Sequence, residues 1–123
     1  MSDAKVTTPV APYSNFTTEG NLVFVSGQVP CTTDGKVLVD APIEEQTKVA
    51  MENLAAVLES AGTSLSKAKQ IFIWLTNYEE DFDKMNAAYR EFFPDGNFPA
   101  RLCLGVSNIW GGLRIEINCI AAK

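Results

Sequence analysis

Histidine is absent from the 123 residues. That excludes serine or cysteine nucleophiles activated by an imidazole, histidine metal ligands and the commonest general base. Any chemistry falls to carboxylates, Arg, Lys, Tyr, Cys, Ser or the backbone. Basic charge is scarce as well. Ten Lys and Arg stand against fifteen Asp and Glu, the net charge is −5, and no Lys/Arg run occurs. Such a chain repels phosphate backbones, so no nucleic-acid partner is expected. No apolar run reaches about 18 residues, so no membrane span is expected. Met1-Ser2-Asp3-Ala4-Lys5 has neither an apolar core nor an Arg-rich amphipathic stretch. It reads as a cytoplasmic N-terminus, with a mitochondrial location after removal of a transit peptide as the alternative. Cys31, Cys103 and Cys119 are odd in number and form no CxxC pair. They read as reduced thiols, not as a disulfide framework.

What is present fits one domain over residues 1–123, with 46% hydrophobic residues to build its core. Residues 1–12, punctuated by Pro9 and Pro12, read as an irregular arm. Phe16-Thr17-Thr18, the turn signal Glu19-Gly20-Asn21 and Leu22-Val23-Phe24-Val25-Ser26 predict a β-hairpin that Pro30 ends. Residues 36–39 follow the Asp34-Gly35 turn as a candidate short strand. Asp40-Ala41-Pro42 predicts a helix start with Asp40 as N-cap. Ala50, Leu54, Val57, Leu58 and Ala61 recur at helical spacing before Gly62, which places a helix over about residues 41–61. Residues 70–75 form an apolar, β-branched strand. Glu80 or Asp81 then opens a second helix carrying Phe82, Met85, Tyr89, Phe92 and Phe93, which Pro94-Asp95-Gly96-Asn97 stops. Two strands, about residues 100–106 and 113–121, close the chain. The pattern is α+β, a mixed β-sheet with two helices packed on one face. Residues 22–25 and 71–75 supply apolar side chains to both sheet faces, and no third helix exists to cover the second. A second copy of the same sheet is the simplest cover, which predicts a homo-oligomer.

Strand alternation puts Arg101, Cys103 and Gly105 on one face, with Leu102, Leu104 and Val106 on the other. Leu113, Ile115, Ile117 and Cys119 share a face opposite Arg114, Glu116 and Asn118. In each strand the apolar set is expected to face the helices. If the two strands pair as a hairpin, Cys103 lies opposite Glu116 and Arg101 opposite Asn118. Arg101 and Glu116 then share the polar sheet surface, where a charged pair under an oligomer contact points to a site. Plainer readings stand beside this one. Arg101 suits a strand-end or interface salt bridge, Glu116 a half-solvated strand, and Cys103 a small buried hydrophobe. Asn86 suits the polar side of its helix. Tyr13 sits in the arm. Ser26 and Gly27 end a strand, where Gly27 allows either close backbone approach or a bulge. Gly111-Gly112 reads as a turn.

The series Ala11-Pro12-Tyr13, Phe24-Val25-Ser26-Gly27-Gln28-Val29-Pro30, Glu59-Ser60-Ala61-Gly62, Met85-Asn86-Ala87-Ala88-Tyr89-Arg90-Glu91-Phe92-Phe93, Phe98-Pro99-Ala100-Arg101 and Ile115-Glu116-Ile117 resembles the RidA (YjgF-type) reactive-intermediate deaminases. The resemblance covers nearly the whole chain. It implies a chorismate-mutase-like, YjgF-like fold and a homotrimer with a barrel-like core and clefts between subunits. It implies hydrolysis of 2-iminobutanoate, 2-iminopropanoate and related enamine or imine acids, released by pyridoxal-phosphate dehydratases, without cofactor or metal. By position Arg101 looks like the family's carboxylate-binding arginine and Glu116 like its catalytic glutamate. Tyr13, Ser26, Gly27, Asn86 and Cys103 resemble residues that line or support the cleft. The chain departs from the pattern at Leu102, at Asn118 and at Ile109-Trp110-Gly111-Gly112, which replaces a Leu-Pro turn. The last of these bears on substrate range more than on the reaction. The alternatives are a non-catalytic sensor of small carboxylates, the ribonuclease or translation-inhibitor activity attributed to some relatives, and a chaperone-like surface.

Overall fold

A computed structural model describes residues 6–123. The first five residues, on which the N-terminal reading and the start of the arm fall, lie outside the described part. Strands β1 (Phe16–Glu19) and β2 (Leu22–Gln28) form the expected hairpin. Helix α1 (Ile43–Ser60), strand β3 (Ala68–Leu75), helix α2 (Tyr78–Arg90), and strands β4 (Ala100–Gly105) and β5 (Ile115–Ala122) follow. The architecture is α+β, a mixed five-stranded sheet in the order β1-β2-β5-β3-β4 with two helices.

Local boundaries differ in instructive ways. The N-cap of α1 is Pro42, not Asp40, and no side chain caps it. Its fixed φ of −64° already suits a helix entrance. α2 starts at Tyr78, before Glu80 and Asp81, because Asn77 is the N-cap and the acidic residues fill the first turn. Residues 36–39 make no strand beyond a single bridge from Val37 to Cys31.

The core lies between the sheet and the helices. Met51, Leu54 and Leu58 of α1 and Met85 of α2 are fully buried with Ile71, Leu75, Ile115 and Ile117 of the sheet. This follows from the periodicities, since i, i+3, i+4 residues on the helices meet every second residue of the strands.

The last two strands correct the expected hairpin. β4 runs parallel to β3 at the sheet edge, with Arg101 beside Ile71 and Cys103 beside Ile73. β5 runs antiparallel to β3 on its other side and to β2, with Glu116 beside Trp74 and Asn118 beside Phe72. The cause is α2. It returns the chain to the start of β3, so β4 must run parallel, and the long segment before β5 carries the chain across the sheet. Cys103 therefore does not face Glu116, and Arg101 does not face Asn118.

The faces change with the pairing. Ile71 and Ile73 are core residues, so Arg101 and Cys103 beside them point to the helix side. Leu102 and Leu104, expected against the helices, stand on the open face and are each 43% exposed. Glu116 and Asn118 are on the open face as expected, beside Trp74 and Phe72. Arg114 does not join them. It precedes β5, so alternation does not govern it. It pairs through Nε and Nη2 with both oxygens of buried Asp81 at 2.9 and 2.6 Å.

Candidate active site

Six of the seven candidate residues line two clefts on opposite faces of the sheet, and the seventh, Cys103, packs against the core. The first lies at the β4 edge under α2. It has a volume of about 250 Å³ and is lined by Asn86, Tyr89, Arg90, Phe98, Pro99 and Arg101. Parallel pairing carries Arg101 beneath the helix, and helical spacing sets Asn86 and Tyr89 above it. The Arg101 guanidinium carbon lies 5.0 Å from the Tyr89 ring centre and 6.0 Å from that of Phe82. A cation over aromatic faces is held without consuming its N–H donors. No carboxylate pairs with Arg101 among the described residues. The Asn86 Oδ1 and Tyr89 hydroxyl atoms are buried without a hydrogen-bond partner there. Burial pushes the Tyr89 phenol up to about 12, although nearby Arg101 acts in the other direction. Cys103 packs against the core beside Arg101, and burial raises its thiol above the ordinary value. A protonated thiol is a poor nucleophile.

The second cleft lies on the open face, beside the β2 bulge. It has a volume of about 370 Å³, and Tyr13, Ser26, Gly27, Val29, Trp110 and Glu116 line it together with Val10 and Ala11. The bulge falls between Val25 and Gln28, where the register with β5 shifts. It is fixed from the arm. The Ser26 N–H donates to the Asn15 carbonyl at 2.9 Å, the Ser26 hydroxyl to the Ser14 carbonyl at 2.5 Å, and Thr7 to the Gln28 side chain at 2.9 Å. These bonds turn the arm into a wall and set Tyr13 at the cleft. Gly27 serves Glu116 directly. A Cβ on Gly27 would lie 1.8 Å from Glu116 Oε2, so only glycine leaves room for the carboxylate. Burial raises the Glu116 carboxyl above its ordinary value of 4.5.

Within one chain, then, the structure joins Arg101 to Asn86 and Cys103, and Glu116 to Tyr13, Ser26 and Gly27. It does not bring Arg101 and Glu116 together, which corrects the shared surface expected from a hairpin. The sequence places Tyr89 and Phe82 at helical spacing on the second helix and gives them no role in the site. Their role under Arg101 depends on the parallel β4 and has no local signal. Trp110 was noted as a departure, and its place beside Glu116 emerges only from the fold.

A family profile described as Endoribonuclease L-PSP matches residues 4–123. A RutC family protein of Pyrococcus abyssi is 39% identical over 119 residues, 97% of this chain and 92% of its own. A protein of Dermatophagoides farinae named 2-iminobutanoate/2-iminopropanoate deaminase is 34% identical over 91% of this chain and 86% of its own. The crystal structure of Escherichia coli TdcF with bound serine superimposes with a TM-score of 0.90 at 27% identity, covering 98% of this chain and 94% of that one. With its sheet order, its two helices and a profile that spans nearly its full length, the chain belongs to the YjgF/RutC/RidA family.

Proposed function

We propose that the protein hydrolyses 2-imino acids such as 2-iminobutanoate and 2-iminopropanoate to 2-oxo acids and ammonia. We further propose that each active site joins the Arg101 cleft of one protomer to the Glu116 cleft of another in a homotrimer. One observation carries this reading. An unpaired guanidinium and a desolvated carboxylate lie on opposite faces of one sheet, and each lines a cleft that lacks the other's chemistry. A second copy supplies the missing half. The half-exposed Leu102, Leu104 and Phe24 of the open face would be covered in the same contact, closing three sheets around a barrel-like core. The name of the mite relative and the serine bound by the Escherichia coli relative support a small acid carrying nitrogen at its second carbon.

The roles follow from the residues. Arg101 holds the substrate carboxylate through two parallel charge-assisted hydrogen bonds, and the aromatic rings behind it fix the plane of the guanidinium. Glu116 accepts a proton from water as the water oxygen attacks the imine carbon. The carbinolamine formed collapses to the 2-oxo acid. Glu116 returns the first proton to the imine nitrogen as the carbinolamine forms, then takes the carbinolamine hydroxyl proton and passes it to the amine nitrogen as the C–N bond breaks and ammonia leaves. A carboxyl whose pKa burial raises is a stronger base than an ordinary carboxylate, which suits it to take a proton from water. Tyr13 and the Ser26-Gly27 backbone orient the bound groups. The Cys103 thiol takes no covalent part. Imines hydrolyse readily in water, so positioning alone supplies a useful rate gain. The 2-imino acids would come from pyridoxal-phosphate dehydratases.

A mixing experiment tests both parts. Threonine dehydratase supplies the imine, semicarbazide traps what escapes, and the Arg101→Ala and Glu116→Ala variants are each inactive alone. Co-refolded in equal amounts, they recover about a quarter of the parental turnover, because random trimers restore that share of composite sites. Mixtures as inactive as the single variants would refute the shared site. A semicarbazide yield unaltered by the parental protein would refute the reaction, and normal turnover in Arg101→Ala would refute the role given to Arg101.

A further inference from the structure

The Glu116 cleft of the single chain has a volume of about 370 Å³ and sets the Trp110 indole, Val10 and Val29 around the carboxylate. We propose that this chain prefers 2-imino acids with bulky apolar side chains, and that Trp110 determines the preference. The inference deepens the reading above and rests on it.

Trp110 opens a tight turn, Trp110–Gly112, between two buried anchors. Ile109 is 6% exposed and Leu113 is fully buried, whereas Trp110 is 50% exposed. The turn is therefore pinned on both sides while its indole projects outward. Gly111 and Gly112 both adopt a φ of +72°, a region that glycine enters without strain. This conformation, and not the space behind the turn, calls for glycine, since an added Cβ would make ordinary contacts. An added Cβ would come within 3.4 Å of Val37 at Gly111 and within 3.5 Å of Val39 at Gly112. The pinned indole lines the same cleft as the Glu116 carboxylate, and so do Tyr13, 43% exposed, and Val10 and Val29.

A large aromatic side chain held at the surface beside a half-buried carboxylate has apolar area to offer a ligand. The methyl or ethyl group of a small imino acid fills little of a cleft of about 370 Å³. A benzyl or isobutyl group reaches the indole while the substrate carboxylate stays on Arg101 and the imine carbon stays by Glu116. Each added methylene that an apolar pocket receives changes kcat/KM by roughly tenfold or more. The preference is thus a matter of shape at one end of the site and leaves the imine chemistry alone.

Imino acids are generated in place by an amino-acid oxidase from phenylalanine, leucine or alanine, with catalase present, and their decay is followed by semicarbazide trapping. Expected is a kcat/KM at least about tenfold higher for the phenylalanine and leucine products than for the alanine product. Trp110→Ala collapses that ratio, and Trp110→Phe keeps most of it. Equal rates on all three substrates, or a ratio unchanged in Trp110→Ala, would overturn the inference while leaving the proposed reaction standing. Calorimetric titration separates the two claims from the other side. Phenylpyruvate should bind the parent protein at least about tenfold more tightly than pyruvate, and Trp110→Ala should lose the difference. Retention of this binding preference without turnover of any imino acid would sink the reaction and keep the ligand class. Equal binding of the two acids would sink the ligand class.

Discussion

At Gly27 the sequence left two roles open, a bulge or a close approach, and the structure assigns both. The bulge brings the backbone against the Glu116 carboxylate, with no space for a methyl group. The obstructing atom is the end of a flexible side chain, so Gly27→Ala should fold normally and displace the carboxylate. Imine hydrolysis should fall at least about tenfold with little change in melting temperature, since misplacing a reacting group by an ångström is costly. A variant that melts early would show instead that the bulge itself had failed. Glu116 adds a pH signature. Burial raises its native pKa above the unfolded value of 4.5, so the native state takes up the proton more readily than the unfolded chain. Stability then falls as pH rises through the window between the two values, and the whole cost is present above it. Glu116→Gln should therefore melt above the parent at pH 7, with the gain shrinking as the pH is lowered through that window and largely gone below about 4.5. The kcat/KM of the parent should lose activity on the acid side, at a pH above that ordinary carboxylate value.

Elements are held in place by polar ties that periodicity does not reveal. Asp81 on α2 receives two hydrogen bonds from Arg114, just before β5, and the Arg114 N–H donates to Gln46 of α1 at 3.0 Å. Both helices are thus tied to the start of the strand that carries Glu116. Alternation predicted Arg114 on the open face, but it lies outside the strand and turns to the helices. Asp81→Ala leaves the Arg114 guanidinium without its buried partner. It should cost about 3 kcal/mol in denaturant unfolding, at the lower end for a broken buried pair because Arg114 is 28% exposed. The hairpin, α1, β3 and α2 were all legible from apolar spacing and turn residues. The partner of β4 was not, because strand pairing is a long-range choice and spacing on one strand carries no record of it.

On the scale of the whole molecule, the open face is the outstanding feature. Leu22 and Phe24 of β2 and Leu102 and Leu104 of β4 are 39%, 38%, 43% and 43% exposed on a sheet whose other face carries both helices. A folded chain seldom leaves so much apolar surface to water. Leu104→Asp should turn the proposed homo-oligomer into monomers in light scattering. It should abolish turnover although Leu104 lines neither cleft, since the proposed composite site needs two chains. The excess of apolar strand residues over available helices was readable from composition and order alone.

The chain order fixed a great deal by itself. Helical and strand periodicity defined the elements, the lack of histidine left the chemistry to carboxylates, Arg, Lys, Tyr, Cys, Ser or the backbone, and the run of motifs pointed to the family. Tertiary structure alone decided that β4 runs parallel beside β3. That pairing sends Arg101 under α2 and leaves Glu116 on the opposite face. The physical reason is that side-chain alternation is local, whereas the face a strand presents depends on which neighbour it hydrogen-bonds and in which direction.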